Sequence, residues 1–208
     1  MNLGFDLNDW NNTEAKEFGE YEVLELGGHE VVIKNAELYT SQQSGNTSLK
    51  VEVDIAGNDK QAGFFQRQFD ENTNADKRWA SGATRYMSLK KESLAYTKGF
   101  ITSLEKSNNG FKFDTSKGWD QLKGLKCAGV FGLEQYINNE GQTKTATKLT
   151  QFRSLDKLDS IKIPNVKLLN GTTIPYEEFM KSSTNTNVNE NPFEGLDDAV
   201  QIDENFLD

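Results

Sequence analysis

Residues 49–55, LKVEVDI, alternate apolar and charged side chains without exception. A strand turns successive side chains to opposite faces, so Leu49, Val51, Val53 and Ile55 are expected on a core face and Lys50, Glu52 and Asp54 on a wet one. A strand buried on one face needs paired neighbours and a cover, and the flanking sequence supplies them. Residues 21–26 and 29–40 read as one long strand broken at Gly27 and Gly28, where glycine permits a bend or bulge. Residues 41–48 (SQQSGNTS) and 57–60 are turn sequences. Residues 63–69 (GFFQRQF) are predicted as a third strand, with Phe65, Arg67 and Phe69 on one face. Residues 125–137 form an apolar strand interrupted by glycines. The turn at 138–141 (NNEG) sends the chain back through a Thr-rich fifth strand at 143–154.

Between the third and fourth strands the period changes. Leu89, Ser93, Tyr96, Phe100 and Leu104 recur at helical spacing, with Lys90, Lys91, Lys98 and Lys106 off that stripe, so the spacing predicts a helix over 88–106. Gly99 interrupts it, and the Asn-Asn-Gly at 108–110 ends it. A second short helix is expected at 175–180. Three strands, a helix and two strands predict a mainly β protein, a five-stranded barrel of the OB type with one helix between strands 3 and 4. A β-sandwich would call for seven or more strands. The expected organisation is an N-terminal arm over 1–20, one OB-like domain over 21–181, and an acidic, disordered tail over 182–208. About 160 residues suit a single domain with a real core.

Charge is distributed unevenly along the 208 residues. The formal net charge is -9, but residues 182–208 hold seven acids and no Lys or Arg, and residues 1–20 contribute -4, so residues 21–181 come to +2. Within 77–126 there are eleven Lys and Arg against four acids. The tail has too little apolar surface to offset the entropy of ordering it. The body offers a cationic surface to a polyanion once the tail moves aside. No basic start leads into an apolar run, and no apolar stretch approaches the roughly 20 residues of a membrane span, so a soluble protein is expected. The single Cys127 cannot form an intramolecular disulfide, which suits the reducing cytoplasm.

A groove for an oligonucleotide needs cations for phosphates and flat rings for bases. The candidates are Phe65, Arg67, Phe69, Lys77, Arg78, Trp79, Arg85 and Tyr86, joined by Tyr136, Lys144, Lys148, Phe152 and Arg153 from the last hairpin. Any strand aromatic among them has core packing as its alternative. Enzyme chemistry finds no comparable set. His29 is the only histidine, Cys127 sits in an apolar strand, and a calcium-like loop beginning at Asp70 has Ala75 where glycine is needed and Ser81 where glutamate is needed. No Gly-rich phosphate loop occurs. The expectation is a nonenzymatic protein with no catalytic residues, metal or cofactor; the competing reading is a protein-interaction module that does not bind DNA.

Several segments carry a likeness. They are Phe5-Asp6, the strand opening at 19–23 (GEYEV), the basic and aromatic stretch after strand three, residues 119–124 (WDQLKG) ahead of a Gly-Val-Phe strand, and Asn191-Pro-Phe193 before the acidic tail. In this pattern the chain resembles phage-encoded single-stranded DNA-binding proteins of the OB type, including a broad phage group known only as a domain of unknown function. The resemblance implies sequence-independent binding of single-stranded DNA in replication or recombination. It also implies that the tail, through Asp203, Glu204, Phe206 and Leu207, recruits replication or recombination proteins. The bacterial relatives end on Pro-Phe, whereas here Phe206 is followed by Leu207 and Asp208. A homo-oligomer is compatible with this reading, and no membrane partner is expected.

Overall fold

The structure is a computed structural model that describes residues 22–183 together with Asn11. The expected N-terminal arm and the acidic tail, with Asp203, Glu204, Phe206 and Leu207, therefore lie outside the described residues. The strands are β1 (Gly27–Thr40), β2 (Thr47–Ile55), β3 (Thr84–Ser88), β4 (Lys126–Ile137), β5 (Thr143–Arg153), β6 (Val166–Lys167) and β7 (Thr173–Ile174). Within residues 22–183 the α-helices are α1 (Phe64–Glu71), α2 (Leu94–Ser107) and α3 (Tyr176–Ser183).

The protein is mainly β, as its patterning predicts. All seven strands join one open mixed sheet, in the order β3-β2-β1-β4-β6-β7 with β5 paired to the other edge of β4. Every pairing is antiparallel except β4 with β6, which meet at Glu134 and Lys167. The five longest strands run β3-β2-β1-β4-β5 with α2 between β3 and β4 in sequence, but the strand expected third, at 63–69, is not among them. The closed barrel is not formed, because no ladder joins β3 to β5. The reason is local. β3 is only five residues long and lies near β5 without pairing to it, and the closer approach to β5 is made by the 3-10 turn Ser81–Ala83 before it. A Cβ on Gly82 would lie 2.7 Å from the Thr147 carbonyl oxygen, so only glycine lets the two backbones come this close. Lys148 Nζ donates to Ser81 Oγ across the same seam at 2.8 Å.

β2 follows its alternation closely. Leu49, Val51, Val53 and Ile55 are no more than 2% exposed, and each such burial contributes about 1.5–3 kcal/mol. Lys50 and Glu52 face outward and pair at 2.7 Å. Asp54 breaks the expectation of exposure. It is 5% exposed, and its Oδ1 accepts from the backbone N–H groups of Phe65 at 3.0 Å, Gln66 at 3.3 Å and its own neighbour Ile55 at 2.9 Å.

That carboxylate explains the largest departure from the sequence reading. Residues 63–69 are not a strand; they open α1, with Gly63 in the left-handed region at φ 72°. A helix leaves its first N–H groups without intrahelical partners, and a carboxylate there satisfies them and complements the helix dipole. Asp54 lends its oxygen from the neighbouring strand. Phe64 and Phe65 then turn into the core, Phe65 stacking on Phe131 with ring centroids 5.8 Å apart.

Other boundaries move as well. Residues 22–26 are not strand; they are held by the side chain of Gln61, which donates to Val23 O at 2.8 Å and accepts from Glu25 N at 2.8 Å. The irregularity in β1 falls between Ile33 and Asn35 instead of at the glycines. β3 lies in a stretch read only as basic and aromatic, and α2 starts at Leu94, not at residue 88, and passes Gly99 unbroken. Residues 155–174 fold back onto β4: Pro164 packs where Gly132 has no side chain, and Val166 is fully buried. Among the described residues no helix is long and apolar enough to cross a membrane.

Candidate functional site

The unpaired sides of β3 and β5, the outer surface of α2, the end of β4 and the returning residues 164–173 line one groove of about 2280 Å³. Nine Lys and Arg border it (Lys50, Lys77, Arg78, Arg85, Lys106, Lys148, Arg153, Lys157 and Lys167) against three carboxylates, Glu52, Asp76 and Glu134. A chain of net charge -9 thus gathers an excess of cations in one concave surface. Concave walls of one sign focus the field they create.

Nine of the thirteen expected nucleic-acid contacts line this groove: Lys77, Arg78, Trp79, Arg85, Tyr86, Tyr136, Lys148, Phe152 and Arg153. Four do not. Phe65 is 2% exposed in the core, and its assignment as a base platform is corrected because the helix turns it inward. Arg67, on the far face of α1, pairs with Glu22 at 2.6 Å. Phe69 packs on Trp79 at 5.6 Å between centroids and lies under the Lys77 ammonium at 4.5 Å. Lys144 sits near the hairpin turn opposite Tyr136. Period two had grouped Phe65, Arg67 and Phe69; a helix separates Arg67 from the other two.

Within the groove the groups differ in how free they are. The Trp79 indole is pinned, its Nε1 donating to Val53 O at 2.9 Å with Phe69 against its ring. Phe152 is occupied on one side by Phe100 at 4.3 Å. Lys50 is bound to Glu52 and Glu37; burial pulls its pKa down, but those two carboxylates outweigh it and hold the pKa above the ordinary lysine value. Burial raises the Tyr86 pKa, so its hydroxyl stays neutral beside Tyr39, 5.1 Å away between ring centroids.

Arg85 and Lys148 are different. Arg85 is exposed to the groove, yet the protein on its flanks desolvates the guanidinium and lowers its pKa, with Glu134 only partly compensating. The Arg85 guanidinium makes no hydrogen bond or ion pair with any described residue. Burial lowers the Lys148 pKa in the same way, again against Glu134. Glu134 itself is taken by Lys167 at 3.0 Å. Two partly desolvated cations, one on each side of the open seam, can both gain from an anion placed between the sheet edges.

Sequence reasoning missed some groove residues. Tyr96 was placed on the buried stripe of the helix, but it is 78% exposed and lines the groove with Lys106 and Lys157. The buried face of α2 is Thr97, Phe100 and Leu104, so the face that packs is centred on the Thr97 side of Phe100 and Tyr96 falls on its outer flank. Much of the basic 77–126 segment is also spent elsewhere: Lys112, Lys117, Lys123 and Lys126 pair with Glu105, Asp114, Asp120 and Glu30. Among the described residues no group of three or more His, Cys, Asp or Glu is placed to hold a metal ion. Cys127 is fully buried, which pushes its thiol pKa well up.

The family described as protein of unknown function, DUF669, matches residues 5–115, more than half of the chain. The chain belongs to the DUF669 family. The DUF669 match takes in β1, β2, α1, β3 and α2, and with them Lys77, Arg78, Trp79, Arg85 and Tyr86. The β4–β5 hairpin, with Tyr136, Lys148, Phe152 and Arg153, lies beyond the part matched to DUF669. A search of the curated proteins finds no match to the chain.

Proposed function

We propose that the protein binds single-stranded DNA without sequence preference, in replication or recombination, and that the groove is the strand's path. The observation that carries this reading is the collection of nine cations with Trp79, Tyr86, Tyr136 and Phe152 along one groove of a chain whose net charge is -9. Phosphates would neutralise Arg85, Lys148 and their neighbours while bases stack on the rings, an arrangement that tolerates any base because every base has a flat face. On this reading the sheet is a variant of the OB architecture, itself a partly open five-stranded barrel, with the seam between β3 and β5 left unlaced. The order β3-β2-β1-β4-β5 and the approach of Gly82 to Thr147 support that assignment. The acidic tail, through Asp203, Glu204, Phe206 and Leu207, is the proposed recruiter of replication or recombination proteins. No step of this function requires catalysis or a cofactor, and its setting is the cytoplasm.

The test is a fluorescence anisotropy titration of labelled oligo-dT over a salt series. Binding is expected, with log K falling against log salt by about 0.7 for each phosphate neutralised. Absence of binding at low salt would sink the proposal and favour the protein-interaction reading, which a pull-down without DNA would then support.

A further inference from the structure

Helix α2 presents an unusual outer face for a helix beside a cationic groove. Tyr96, Gly99, Ser103 and Lys106 follow at intervals of three, four and three residues, so they share one side of the helix, and all four line the groove. Tyr96 is the most exposed large hydrophobic residue among those described, at 78%. A Cβ added at Gly99 would meet nothing within 4 Å. The Ser103 hydroxyl turns back to donate to Gly99 O at 3.0 Å, which leaves little relief on this face. At the far end, Ser107 Oγ accepts from Leu155 N at 2.9 Å and fastens the 3-10 turn Leu155–Ser160 against the helix. Lys106 and Lys157 therefore flank one stretch of groove, and neither ammonium has an ion-pair partner among the described residues.

An exposed ring, a smooth backbone track about one helical turn on either side of Gly99, and two cations at its end with no ion-pair partner among the described residues fit a chain of alternating bases and phosphates. We infer that α2 is a second wall of the binding path, with Tyr96 as a stacking platform and Lys106 and Lys157 as phosphate contacts, so that a bound strand leaves the sheet and runs along the helix. A glycine in mid-helix is destabilising relative to alanine, and its place beneath the track gives that cost a purpose: it lets the strand approach. The inference rests on the reading of the groove as a single-strand path.

The experiment uses the full chain and labelled oligo-dT, comparing the unaltered protein with Tyr96→Ala, Tyr96→Phe and the pair Lys106→Gln with Lys157→Gln. Circular dichroism and thermal melts should be unchanged, because all three side chains are exposed. Tyr96→Ala is expected to weaken binding by about 5- to 150-fold, the loss of one stacked base, with Tyr96→Phe within about twofold of the unaltered protein. The lysine pair should lower the salt slope by about 1.4, the release from two phosphates. Binding by the unaltered protein with Tyr96→Ala and the lysine pair indistinguishable from it would overturn the α2 path and leave the groove reading standing. No binding by the unaltered protein would overturn both.

Discussion

Asp54 and Arg85 show how much two charged side chains can differ in what they do for a fold. Asp54 is buried, and one of its oxygens accepts from three backbone N–H groups. Removing a buried acceptor strands its donors, which costs about 1–3 kcal/mol. Asp54→Ala is therefore expected to lose that much stability in urea denaturation, with the α1 signal in hydrogen exchange weakened first. Arg85 has the opposite balance: its guanidinium is desolvated and unpaired among the described residues. A methionine of similar reach would keep the packing of the side-chain stem and remove the charge. Arg85→Met is expected to bind single-stranded DNA more weakly and with a shallower salt slope, with its melting temperature little changed. A variant that loses both stability and binding would show that Arg85 serves the fold.

At the scale of elements, the seam between the 3-10 turn before β3 and strand β5 fixes the shape of the groove. Gly82 lies against the Thr147 carbonyl with no room for a side chain. Gly82→Ala has to push the backbone of β5 away, an overpacking cost of about 1–3 kcal/mol, and should both lower the melting temperature and weaken DNA binding as Lys148 loses its hold on Ser81. The elements differ in how legible they are in the sequence. β2 and the β4–β5 hairpin follow from alternation and from the Asn-Asn-Glu-Gly turn, because burial of alternate side chains and turn chemistry are local. The α1 helix does not, since what makes 64–71 helical is a carboxylate ten residues upstream in sequence that only the fold brings to its start. β3 escapes notice because five residues, Thr-Arg-Tyr-Met-Ser, carry too short a period to separate from a loop. Nine of the thirteen expected contacts fall in the groove because bases and rings on adjacent strand edges converge when the sheet curls. Phe65 and Arg67 do not, because a wrong period sends a side chain to the wrong face.

At the scale of the whole molecule, charge is divided between a cationic groove and an acidic C-terminal segment carrying seven acids and no base. The Ser182 and Ser183 hydroxyls of α3 both donate to Phe179 O, and truncation after Ser183 keeps every described residue of α3. If the acidic segment competes with phosphates for the groove, the truncated protein binds oligo-dT more tightly at low salt, and the difference fades as salt screens both. Equal or weaker affinity after truncation would remove competition from the proposed role of the tail.

Strand β1 has a narrow place where both of its edges are used at once. Val31 and Val32 pair with Ile55 and Asp54 of β2 on one side and with Cys127 and Lys126 of β4 on the other. Ile33 continues the arrangement, donating to Leu125 O and accepting from Gly124 N, each at 2.9 Å. In the hydrogen-bond ladders the β2–β3 side of the sheet is joined to the β4–β5 side through these few residues, while the seam of Gly82 against Thr147 and of Lys148 on Ser81 links the same two sides by packing. Laddered on both edges and buried beneath the rest of the sheet, the waist is expected to open only when the whole molecule does. Amide exchange followed over hours should leave the Val31 to Ile33 region as the last protons to be replaced by deuterium, at the rate of global unfolding, with β3 and β5 exchanging earlier and at different rates from each other.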